Sequence, residues 1–134
     1  PETKAKGARI IAGMENEVIL AKKHKVKIGF GTDFFGPTNA AFAMQALEFK
    51  ARAKYFTPVE ILRQVTSTNA AIVAMSGPMM NPYLRGPLGV IREGAYADIL
   101  VVNGNPLDDI EILGDAKNNI PFIMKDGVIY KNTL

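Results

Sequence analysis

The tripeptide Gly31-Thr32-Asp33 closes an apolar run, Val26-Lys27-Ile28-Gly29-Phe30. That run reads as a buried β-strand, and Asp33 stands at its carboxyl end, where α/β folds carry their reactive groups. A carboxylate there can bind a divalent cation and accept a proton from bound water. An aspartate after a strand can equally cap a turn or receive backbone N–H groups. The two faces of the strand differ in a way that bears on the choice. Val26, Ile28 and Phe30 share one parity and form a bulky face suited to packing under helices. Lys27, Gly29, Gly31 and Asp33 share the other, and the two glycines are expected to leave open space beneath the carboxylate, as in a strand that lines a cavity.

Other side chains capable of chemistry are few. His24 is the single imidazole. It sits among lysines at the predicted end of a helix and reads as a surface residue. One histidine excludes a multi-histidine zinc site within this chain. The absence of cysteine excludes disulfides, thiolate metal sites and thiol catalysis. Ser67 and Ser76 lack a histidine partner. Asp108, Asp109 and Glu111 read as a solvated turn, since a calcium loop needs more oxygen ligands at regular spacing. Met44, Met75, Met79, Met80 and Met124 read as packing filler. Gly86-Pro87-Leu88-Gly89 has no Lys-Ser/Thr after it and does not match a phosphate-cradling loop.

The elements that must position Asp33 follow from periodicity. Residues 4–25 predict an amphipathic helix, with Ile10, Ile11, Met14, Val18 and Ala21 on one face. The strand runs from Val26 to Gly31, and Phe34 to Pro37 form a turn. A second helix is expected from Asn39 to Tyr55. A third starts at Thr57-Pro58-Val59-Glu60, a capping box with proline at the first helical position. It is expected to end near Val65, with a short restart over Asn69 to Met75. Ser76 to Pro87 is an irregular loop. Strand-like runs then appear at Ile99 to Val102, Phe122 to Lys125 and Val128 to Tyr130, the last two flanking the hairpin dipeptide Asp126-Gly127. Leu107 to Ile110 has room for one helical turn. The chain divides near residue 88 into residues 1–88, a strand with helices, and residues 89–134, a small β region.

Composition limits the partners. The chain has 134 residues, 48% of them hydrophobic, which fits a globular protein. No apolar run approaches a membrane span, so a soluble protein is expected, with its compartment undetermined. The net charge of +3 is concentrated in residues 1–56, with ten Lys/Arg against five acids. Lys22, Lys23, Lys25 and Lys27 cluster at a helix C-terminus, where cations complement the dipole, and few aromatics lie among them to stack bases. This argues against nucleic-acid binding. The chain opens on Pro1 inside a helical pattern, as a piece of a longer protein would.

Taken in order, these motifs resemble the closing third of an amidohydrolase-superfamily enzyme. Lys27-Ile28-Gly29-Phe30-Gly31-Thr32-Asp33 resembles the eighth barrel strand. Thr57-Pro58-Val59-Glu60-Ile61-Leu62 and Thr66-Ser67-Thr68-Asn69-Ala70-Ala71 resemble the helices after the barrel. Gly94-Ala95-Tyr96-Ala97-Asp98-Ile99-Leu100-Val101-Val102 resembles the passage into a small β-sandwich, and Met124 to Lys131 its terminal hairpin. Gly31 to Pro37, followed by Gln45, Glu48-Phe49 and Arg52-Ala53, is similar to the imidazolonepropionase-like and Xaa-Pro dipeptidase-like branch.

The resemblance implies an α/β fold: the C-terminal part of a TIM barrel over residues 1–88 and part of a β-sandwich over 89–134. It implies a metal-dependent hydrolase of C–N bonds, with a small amide or dipeptide-like substrate. One or two zinc-like ions are implied in the whole protein, with Asp33 as metal ligand and general base. The isolated chain lacks the other ligands and is expected to be inactive and metal-free. One barrel strand cannot close a sheet, so the chain is expected to rejoin the missing N-terminal part or to pair with copies of itself. Two alternatives stand beside this reading: a non-catalytic α+β binding or assembly module, and an amidohydrolase acting on cyclic amides such as imidazolonepropionate.

Overall fold

The computed structural model describes residues 2–34 and 38–134. Helix α1 spans Glu2–Lys23. It ends in a Schellman motif, in which the Val26 N–H donates to Ala21 O at 2.9 Å and the Lys25 N–H donates to Lys22 O at 3.2 Å. The residue that turns the chain is Lys25, at φ 54°, a position where glycine is usual. Residues 26–34 then run without helix or ladder. The strand expected over Val26–Gly31 is not formed: the segment has no strand neighbour among the described residues. A strand is completed by the neighbours that take its N–H and C=O groups.

Helix α2 covers Thr38–Arg52 and α3 covers Pro58–Arg63. The capping box forms as the sequence predicts: the Thr57 N–H donates to Glu60 Oε2 at 2.7 Å, and the Glu60 N–H donates to Thr57 Oγ1 at 3.4 Å. The expected break near Val65 does not occur. The chain widens into a π-helical turn over Gln64–Thr68 and continues as α4, Asn69–Met75. Thr66 helps by bonding back, its Oγ1 donating to Leu62 O at 2.6 Å. Gly89 packs on the widened turn. A Cβ there would lie 2.6 Å from the Thr66 carbonyl carbon and oxygen, and φ is +69°, so only glycine fits.

The second half builds a three-stranded antiparallel sheet in the order β1 (Ile99–Val101), β2 (Phe122–Lys125), β3 (Val128–Asn132). Ile99 pairs with Met124 and Lys125 with Val128. Asp126 and Gly127 both take positive φ, 47° and 78°, as a two-residue hairpin turn requires. The Asp126 N–H donates to Asp98 Oδ1 at 2.7 Å and the Gly127 N–H to Ala97 O at 3.1 Å. The segment before β1 therefore braces the hairpin. Between β1 and β2 lie a 3-10 helix, Ile110–Gly114, which begins where the helical turn expected over Leu107 to Ile110 was to end, and the short α5, Ala116–Asn119.

The core is small and shared by both halves. Phe56, Ile61 and Ile110 are buried, with Val18, Ile28, Phe30, Phe49, Leu62 and Leu113 packed around them. Ile61 is fully enclosed, which contributes about 1.5–3 kcal/mol. Much apolar surface is left over. Ile10, Ile11 and Met14, on the expected inner face of α1, are more than half exposed, and Met75, Met79 and Met80 are exposed rather than packed. The accessible surface is 9955 Å², against about 6,900 Å² for a compact monomer of this mass.

Candidate functional site

The segment that carries Asp33 is fixed at both ends. At its start, Lys22 lies 3.6 Å from Glu60 and its ammonium stands 4.5 Å from the centre of the Phe56 ring. This ties the end of α1 to the start of α3. Further along, Ile28 and Phe30 enter the core, as the bulky-face reading requires. Val26 does not; it is 59% exposed. The Phe30 ring lies 4.7 Å from Phe49, and the Arg52 guanidinium stands 4.8 Å from its centre. Arg52 is held in turn by Glu48 at 2.5 Å and by the buried Gln64, whose Oε1 accepts from Nη1 at 2.7 Å.

The Phe30 main chain is also taken up. Its N–H donates to Asn69 Oδ1 at 2.8 Å, and Asn69 Nδ2 donates to its C=O at 2.9 Å. This revises the reading of the glycines. The space beside Gly29 is filled by Asn69 and Ile72, since a Cβ would meet Asn69 Oδ1 at 2.7 Å and Ile72 Cδ1 at 3.0 Å. Beside Gly31 nothing lies within 4 Å among the described residues. One glycine therefore admits a helix, and the other leaves space.

Asp33 follows two residues later, exposed, with φ 50°. The extended run stops there, so strict alternation does not set the direction of its side chain. Among the described residues its carboxylate accepts no hydrogen bond; the nearby contact is from the Phe34 N–H to Thr32 Oγ1 at 3.4 Å. A non-glycine residue in the left-handed region stores strain, of a kind that concentrates at functional sites.

His24 is exposed. Phe34 is half-buried, and Phe35 lies outside the described residues. Tyr83 packs edge-on against Tyr96 at 5.6 Å. Asp109 caps the 3-10 helix by accepting the Glu111 N–H at 2.9 Å, and Asp108 accepts from Asn105 at 3.0 Å, so the acidic cluster holds a turn. A shallow hollow of about 360 Å³ is lined by Lys22, Lys25, Lys27, Glu60 and Arg63; another, of about 260 Å³, is lined by Arg85, Tyr96 and Asp126. Asp33 borders neither. Arg85 and Asp126 pair at 2.6 Å on the surface; this bond and the Tyr96 hydroxyl raise the guanidinium pKa further, the Tyr96 contact weighing most.

Among the described residues no three His, Cys, Asp or Glu side chains gather closely enough to hold a metal ion. A zinc ion requires about four ligands, and Asp33 offers one. The described residues do not by themselves fit a metal.

Reading the sequence alone misses Asn69 and Gln64. The signal for Asn69 was its place one turn before Ile72 on a half-buried helix face, where an amide must find partners.

No family model matches the chain. The ochratoxinase of Aspergillus niger is 30% identical over 113 residues, covering 83% of this chain and 21% of the relative. A crystal structure of an amidohydrolase superposes with a TM-score of 0.71 at 35% identity, covering 89% of this chain and 26% of that one. A crystal structure of a prolidase complexed with N-methylphosphonate-L-proline superposes with a TM-score of 0.74 at 32% identity, covering 99% of this chain and 30% of that one. The chain thus spans between about a fifth and a third of the length of these proteins. Sequence and fold agree on one likeness: over nearly its whole length the chain is similar to a part of amidohydrolase-superfamily proteins.

Proposed function

We propose that this chain is part of a hydrolase of C–N bonds acting on a small amide or dipeptide-like substrate, and that Asp33 is its general base. Residues 1–88 form the barrel segment that presents Asp33, and residues 89–134 form part of a β-sandwich. The observation that carries this reading is the state of Asp33: an exposed, strained carboxylate at the tip of a segment held by Asn69, Phe49 and Arg52. A carboxylate so placed accepts a proton from the attacking water and returns one to the departing nitrogen. Asp33 also offers one ligand to a divalent metal, zinc or a similar ion, whose other ligands lie elsewhere in the whole protein. The likeness to a prolidase favours dipeptide-like substrates.

The test uses the full-length protein, supplied with divalent metals and assayed on a panel of Xaa-Pro dipeptides and N-acyl amino acids. Asp33→Asn is expected to lower kcat by about 10²–10⁴-fold, the usual share of general acid–base catalysis. The far-ultraviolet circular dichroism spectrum is expected to stay unchanged. A variant that turns over near the wild-type rate overturns the reading.

A further inference from the structure

The Asp33 segment hangs on an unusual contact. One side-chain amide, that of Asn69, bonds both polar groups of Phe30 across 39 residues of sequence. It does for Phe30 what a neighbouring strand's peptide does in a ladder. Removing it would leave a part-buried N–H and C=O unpaired. Gly29 leaves room for the contact, because a Cβ there would stand 2.7 Å from Asn69 Oδ1. Phe49 and Arg52 hold the ring of the same residue. Phe30 is therefore fixed by its main chain from α4 and by its ring from α2, three residues before Asp33.

We propose that Asn69 is a positioning residue: its paired hydrogen bonds fix the height and rotation of the strand tip, and thereby the Asp33 carboxylate. This inference rests on the reading of Asp33 as general base. Catalysis is sensitive to such placement, since a displacement of about 1 Å in a reacting group can cost about 10²-fold in rate.

The experiment compares Asn69→Ala, Asn69→Asp, Gly29→Ala, the Gly29→Ala/Asn69→Ala double variant and Asp33→Asn, all in the full-length protein. The substrate is whichever member of the dipeptide and N-acyl panel the wild type hydrolyses. Asn69→Ala is expected to lower kcat by about 10–100-fold, as loss of a supporting shell does. KM is expected to stay within about twofold, the mark of an interaction made in the transition state. Amide hydrogen exchange is expected to quicken across residues 28–32 and to stay unchanged in the hairpin 122–132. Asn69→Asp keeps an acceptor for the Phe30 N–H but sets a carboxylate against its C=O, so an intermediate loss is expected. Gly29→Ala is expected to reproduce Asn69→Ala. Added to Asn69→Ala it should change kcat little, because the oxygen it would strike is gone and the remaining contact, Ile72 Cδ1 at 3.0 Å, is the end of a flexible side chain that can shift; two independent packing defects would instead add.

An Asn69→Ala enzyme with unchanged kcat and exchange, beside an inactive Asp33→Asn enzyme, overturns the positioning role and leaves the base intact. A turnover-competent Asp33→Asn enzyme overturns the reading beneath it. If Asn69→Ala also loses hairpin protection, Asn69→Asp decides, and an unchanged kcat there refutes the proposal.

Discussion

Replacing Asp33 with glycine separates the two roles that a carboxylate at the end of a strand can have. Asp33 adopts φ 50°, a region that costs an L-residue about 1–2 kcal/mol, less for aspartate than for most. Glycine removes that cost and adds unfolded-chain freedom worth about 0.5–1 kcal/mol in the opposite sense. The two terms nearly cancel, so Asp33→Gly is expected to change stability by less than about 0.5 kcal/mol. A structural aspartate behaves differently. If Asp33 held the amides of its loop, deletion would cost about 0.5–2 kcal/mol, as loss of a capping side chain does. The assay is urea unfolding of the full-length protein followed by intrinsic fluorescence, beside turnover on the dipeptide panel. The expected result is an unmoved midpoint with an unmoved slope and a kcat reduced by about 10²–10⁴-fold. A midpoint lowered by more than about 1 kcal/mol equivalent, with activity retained, would refute the reasoning, because the side chain would then be a cap.

Further outcomes follow from contacts elsewhere. Lys25→Gly, at the turning residue of the α1 Schellman motif with φ 54°, is expected to raise stability by about 0.5–1 kcal/mol, read as a higher urea midpoint. Glu60 has its carboxyl pKa below the ordinary 4.5, first because it accepts the Thr57 backbone N–H, with the Thr57 hydroxyl and the Lys22 charge adding to this. A lowered folded pKa means that the contribution is complete above the unfolded value and is lost as pH falls through the folded one. The stability gap between wild type and Glu60→Gln is therefore expected to be constant near neutrality and to close below about pH 4.5, measured as urea midpoints across a pH series. Calorimetric titration of the isolated 134-residue chain with zinc is expected to show no stoichiometric sub-micromolar binding, and such binding would contradict a site completed from elsewhere.

Much of this architecture was legible because its signals are local. The capping box at Thr57 and Glu60 and the Asp126-Gly127 hairpin depend on residues within one turn of each other, and both form as read. The ordered motifs sufficed for the superfamily likeness. What escaped depends on distant partners. The break expected after Val65 is absent because a π-turn, seated against Gly89, absorbs the hydroxyl-rich Thr66-Ser67-Thr68. Gly29 suggested an empty wall and instead admits a side chain from forty residues on. Met44, Met75, Met79 and Met80, and Ile10, Ile11 and Met14 on α1, look like core by type, yet are exposed. Hydropathy records what a residue prefers to touch, and a chain that spans less than a third of its relatives does not supply every neighbour.

The surplus of bare surface changes how substitutions in this chain should be interpreted. Ile10, Ile11 and Met14 would be scored as tolerant positions on solvent accessibility alone. Their helical spacing is instead that of one half of a seam, to be closed by whatever lies against α1 in the whole protein. Polar replacements there should behave as interior lesions, lowering the yield of folded protein while leaving the segment's own helices and hairpin undisturbed.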